Sequence, residues 1–103
     1  MNKQIFEEIR ALKRQILPNE RVILFGSQAR GDARKDSDWD LLVLLNKEKK
    51  TEDDSDKYAF PFVLMGWKYG TYISVKLYTE REWEKRKPSI FRYNVEREGI
   101  EII

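Results

Sequence analysis

The chain has 103 residues, 41% of them hydrophobic and 37% charged, and 20 Lys and Arg stand against 18 Asp and Glu for a formal net charge of +2. That size and apolar content predict one domain over residues 1–103 with one modest core, and the near balance of charge calls for neither nucleic acid nor a membrane as partner. Cys and His are absent, which excludes disulfides, thiolate or imidazole metal ligands and thiol nucleophiles; a metal would have to sit on carboxylates, a donor set that suits Mg2+ or Mn2+.

Met1 to Gln4 lead into mixed charged and apolar sequence without a continuous apolar run, so a soluble, cytoplasmic protein is expected. Ile5, Ile9, Leu12 and Ile16 recur at helical spacing and predict an amphipathic helix near residues 3 to 16, ended by Pro18. Val22-Ile23-Leu24-Phe25, short and closed by Gly26, reads as a buried strand with a turn directly after it. Trp39, Leu41, Val43 and Leu45 alternate with Asp38, Asp40, Leu42 and Leu44, so a second strand starts half-polar and becomes apolar on both faces.

Asn46 to Lys57 is charged and aperiodic and reads as an exposed, solvated loop. Tyr58, Phe62, Met65 and Tyr69 then predict a helix whose start is restricted by Pro61 and whose end is set by Gly70. Thr71 to Thr79 alternates as a strand, with Ile73, Val75 and Leu77 on one face and Tyr72, Ser74, Lys76 and Tyr78 on the other. Thr79-Glu80-Arg81-Glu82 has the form of a capping box opening a short helix through Lys87, and a last helix from Ile90 to Glu98 stops at Gly99 before an edge strand at residues 100–103. The order of elements is that of one α/β (α+β) unit. The basic C-terminal third, with Arg81, Lys85, Arg86, Lys87, Arg92 and Arg97 among Trp83, Phe91 and Tyr93, reads as a solvated helical face around a few anchoring aromatics.

The chemistry concentrates in Phe25-Gly26-Ser27-Gln28-Ala29-Arg30-Gly31 and Ser37-Asp38-Trp39-Asp40-Leu41. Gly26 after a buried strand permits a tight turn and the close approach of a ligand. Ser27 offers a hydroxyl beside free amides at a helix start, an arrangement suited to phosphate. Arg30, one helical turn beyond Ser27, can reach the same phosphate oxygens. Asp38 and Asp40 are two apart on a strand, so their carboxylates share a face, repel each other and can share a divalent ion.

A hydrophobic residue, Gly-Ser, a short spacer and then Asp-hydrophobic-Asp-hydrophobic resembles the signature of the polymerase-beta-type nucleotidyltransferase superfamily. The flanking Arg30-Gly31 and Ser37 sharpen the likeness to its minimal nucleotidyltransferases. The resemblance implies a mixed sheet flanked by helices, and Mg2+-dependent transfer of a nucleoside monophosphate, AMP from ATP, to an acceptor hydroxyl. It further implies Gly26 and Ser27 as phosphate-binding residues, Arg30 as a phosphate-binding residue or a support for the loop, and Asp38 with Asp40 as metal-binding and catalytic residues. Active members carry a third carboxylate on a later strand; here Lys76 stands where that acid is sought, and its ammonium could pair with Asp38 or Asp40. The alternative reading is therefore a catalytically impaired nucleotide-binding or interaction module, an antitoxin-like partner of a helical HEPN-type protein.

Overall fold

A computed structural model describes all 103 residues as one mixed sheet with helices on both faces. In chain order the elements are α1 (Lys3–Ile16), β1 (Arg21–Phe25), α2 (Gly26–Arg30), β2 (Trp39–Leu45), a π-helical turn (Ser55–Ala59), α3 (Phe60–Lys68), β3 (Ile73–Thr79), α4 (Glu80–Lys85), α5 (Ile90–Glu98) and β4 (Ile100–Ile102). The sheet order is β3-β2-β1-β4. β1 pairs antiparallel with both β2 and β4, and β2 pairs parallel with β3, which requires the crossover that α3 supplies.

Strand alternation sorts the core into two layers. On one face Val22, Leu24, Trp39, Leu41, Val43, Leu45, Ile73 and Ile102 pack with Ile5, Ile9 and Leu17 from the first helix region and Phe62 of α3. On the other, Ile23, Leu42 and Leu44 meet Trp83 of α4 and Val95 of α5, with Phe25, Tyr78 and Phe91 at the margin. Beyond Asp40, β2 is buried on both sides, as its double apolar run requires. No helix is long and apolar enough to cross a membrane.

Local signals account for the element ends. The Asn2 side chain accepts from the amides of Gln4 and Ile5 and caps α1. Thr79 and Glu82 close the capping box of α4 in both directions, at 3.0 and 2.8 Å. Pro61 sits in the first turn of α3, where its missing N–H costs no helical bond. Two expectations need correction. The helix after the capping box ends at Lys85, short of Lys87, because Arg86 leaves helical geometry. The segment from Asn46 to Lys57 is not simply a solvated loop: Asp54 is buried, accepts from the Thr51 amide at 2.7 Å and from Lys47 at 2.9 Å, and the π turn begins at the next residue.

Candidate functional site

β1 and β2 deliver the two halves of the motif to one end of the sheet. Phe25 is the register partner of Asp40, so Gly26 begins α2 directly beside that carboxylate. Gly26 has φ +77°, and a Cβ there would lie 2.3 Å from Asp40 Oδ2. Glycine is required twice over: for the left-handed backbone and for the space that the carboxylate occupies. Phe25 caps α2 without a side-chain hydrogen bond, so no cap side chain satisfies the first amides of the turn. Gly31, at φ +84°, ends the turn and donates to the Ser27 carbonyl at 3.0 Å.

The spacer between the motif halves is fixed. Buried Gln28 donates through its side-chain amide to the Ser37 carbonyl at 3.2 Å, and the Ser37 hydroxyl accepts from the Arg34 amide at 2.8 Å. Trp39 buries its ring in the core and donates its amide to the Tyr72 carbonyl, so Asp38 and Asp40 leave a rigid strand end. Nothing in the sequence marks Gln28 for this role. It reads as one more polar residue after Ser27, and only the fold turns it inward.

Asp38 is exposed and lines a cleft of about 650 Å³ together with Gln28, Arg34, Lys35, Trp39 and Tyr72. Asp40 is half-buried on the sheet face that carries Ser74, Lys76 and Tyr78. Burial pushes its carboxyl above the ordinary range, and the Asp38 charge pushes the same way. Lys76 and Arg30 pull it down without reversing the result. The two aspartates thus feel each other's charge, as their spacing predicts, and a cation between them would relieve both the repulsion and the burial cost. No cluster of three or more Asp or Glu side chains suited to a metal occurs in the molecule. Two carboxylates remain a workable donor set for Mg2+, which commonly takes one or two protein carboxylates and completes its shell with water and substrate phosphate oxygens.

Two of the sequence-derived positions look different in three dimensions. Arg30 is drawn to Asp32 at 3.2 Å and Glu98 at 3.6 Å, which ties α2 to α5 and keeps the guanidinium at the rim. Lys76 forms no ion pair with Asp38 or Asp40. In register it stands beside Leu42, Ser74 stands beside Asp40, and the Lys76 ammonium lies over the Phe91 ring at 5.9 Å from its centre. The lysine therefore acts on Asp40 through space, without a direct ion pair.

A family model for the nucleotidyltransferase domain matches residues 3–98. Two proteins of Methanocaldococcus jannaschii, each named "putative protein adenylyltransferase", are similar to the chain. One is 37% identical over 83 residues, covering 81% of this chain and 78% of that protein. The other is 33% identical over 98 residues, covering 94% and 92%. Among solved structures, a chain from a crystal structure of a toxin–antitoxin with AMP-PNP superposes with a TM-score of 0.66 at 16% identity, over 100% of this chain and 73% of that one, which is a likeness of fold.

Proposed function

The chain belongs to the nucleotidyltransferase domain family, and from that premise we propose that it transfers a nucleoside monophosphate, AMP from ATP, to a hydroxyl of an acceptor protein in the cytoplasm. The observation that carries the reading is the joint placement of Gly26 and Asp40: a glycine-opened helix start and a half-buried carboxylate meet at one strand end. The names of the two archaeal relatives support AMP as the group moved and a protein as the acceptor.

In this reading the first turn of α2 and the Ser27 hydroxyl hold phosphate oxygens, with Arg30 at the rim adding charge. Asp38 and Asp40 hold Mg2+, for which Mn2+ is a near substitute; when bound, the ion offsets negative charge on the triphosphate. The cleft at Asp38 has room for the nucleoside, and exposed Tyr72 offers it a ring. The acceptor oxygen bonds to the α-phosphorus, the bond from that phosphorus to the bridging oxygen breaks, and pyrophosphate leaves. With no acid on β3, the hydroxyl proton passes to water or to a base that the acceptor brings.

Lys76 favours a second reading: a nucleotide-binding module that does not turn over and acts by docking to a helical HEPN-type partner, as in a toxin–antitoxin pair. The assay is pyrophosphate release from ATP and Mg2+ in the presence of candidate acceptor proteins. Release that Asp38→Asn abolishes supports transfer. ATP binding without release, together with release gained by Lys76→Asp, supports the second reading and overturns the first.

A further inference from the structure

α3 is apolar on every side yet buried on only one. Lys68 is the single charged residue in Phe60–Lys68, and a helix of that composition belongs inside a protein. Only Phe62 and Gly66 are buried, with Gly66 held close against Ile73 of the sheet. Phe60, Leu64 and Trp67, four and seven residues apart, form an outer stripe that stands 42%, 48% and 58% exposed. The Phe60 and Trp67 rings hold each other edge-on, with centres 5.9 Å apart and planes at 87°, so the stripe is ordered before anything covers it. Beside it the apolar surface continues into a groove of about 410 Å³ between α3 and α1, lined by Pro61, Leu64, Met65, Ala11 and Leu12.

The two ends of the stripe differ in charge. About one turn before Phe60 stands Asp56, exposed and without an ion pair, and Glu52 and Asp53 precede it in the same condition. Next to Trp67 stands Lys68, whose side chain contacts Glu8 at 3.0 Å and remains 65% exposed, with donors to spare. The stripe thus runs acid, aromatic, leucine, aromatic, base. Turned end for end, it complements itself: Phe60 falls opposite Trp67, Leu64 meets its own copy, and Asp56 comes within a lysine's reach of Lys68. Leu64 is four residues from Phe60 and three from Trp67, so the reversed stripes match to about 1.5 Å along the helix axis. A surface that fits itself on reversal is what a two-fold interface requires, whereas two copies running the same way would set acid against acid.

We propose that this stripe binds a second copy of the chain, α3 packing antiparallel on α3 about a two-fold axis at Leu64. The aromatic pairs supply the centre of the contact, and Asp56 with the partner's Lys68 at each rim sets its direction. α3 leads into Tyr69 and Tyr72, which line the cleft at Asp38, so the dimer carries its two clefts at opposite ends. Association of this kind is independent of nucleotide chemistry and stands or falls apart from it.

The test is sedimentation velocity on the whole chain from micromolar to submillimolar concentration, with far-UV circular dichroism to confirm folding of each variant. The wild type passes to a species of twice the 12.4 kDa chain mass as concentration rises. Leu64→Glu, at an exposed position, stays folded and monomeric. Asp56→Lys and Lys68→Asp each weaken association about tenfold, and an equimolar mixture of the two regains wild-type association, because each rim then pairs a lysine with an aspartate. That recovery is a readout that a folding defect cannot imitate. A wild type that remains monomeric throughout, which leaves the stripe to a different protein, overturns the proposal. So does a folded Leu64→Glu that still dimerises, or a mixture that associates no better than its components.

Discussion

The carboxylate of Asp40 and the missing side chain of Gly26 occupy the same space, which makes Gly26→Ala the sharpest single change in the molecule. Alanine at φ +77° costs about 1–3 kcal/mol in backbone strain, and its methyl group must also push the carboxylate away. The expected outcome is a lowered denaturation midpoint, read by urea titration, together with loss of metal-dependent nucleotide binding. Asp40→Asn separates the two effects. Burial and Asp38 raise the Asp40 pKa in the fold, so the stability that its protonated form contributes is present at low pH and lost as pH rises through the raised value. In EDTA, Asp40→Asn should therefore match the wild type in thermal midpoint at acid pH and exceed it at neutral pH, while losing Mg2+-dependent ATP binding. A neutral-pH midpoint below that of the wild type would contradict the assigned strain.

At the level of elements, strands and helices with regular apolar spacing could be read directly, because burial on one face imposes a period: α1, β1, β2 and the alternating faces of β3 all follow from it. The capping box was equally legible, since its two hydrogen bonds depend only on residues three apart. Thr79→Ala should cost about 1 kcal/mol, measured by chemical denaturation. The stretch from Asn46 to Lys57 shows where such reading stops. Its order comes from one buried acid among many exposed ones, and composition cannot say which of Glu52, Asp53, Asp54 and Asp56 turns inward. Asp54→Ala removes the acceptor shared by Lys47 and the Thr51 amide and should cost about 2 kcal/mol, whereas Asp53→Ala, at an exposed position, should cost little. Hydrogen exchange should show the faster amides of the first variant confined to the segment before α3.

For the molecule as a whole, the sheet order explains how the two halves of the motif come to one end of the sheet. Placing β1 between β2 and β4 brings α2 beside the start of β2, and the parallel β2–β3 pair sets Ser74 and Lys76 along the Asp40 face. The positions of Gly26, Ser27, Asp38 and Asp40 were legible because a strand-ending glycine and alternate aspartates each have a local signature. Arg30 was legible by spacing, but its ties to Asp32 and Glu98 depend on where α5 lands. The placement of Lys76 over Phe91, and of Arg86 beside it, required the return of the chain through α4 and α5, a long-range fact with no local sequence signal.

Metal dependence of nucleotide binding through Asp38 and Asp40 is read by calorimetric titration of ATP in Mg2+ and in EDTA, on the wild type and on Asp38→Asn. Mg2+ should tighten ATP binding to the wild type by about tenfold or more, and that gain should vanish in Asp38→Asn while the variant keeps its fold. Equal affinity with and without Mg2+, or a gain that survives in Asp38→Asn, would contradict the account.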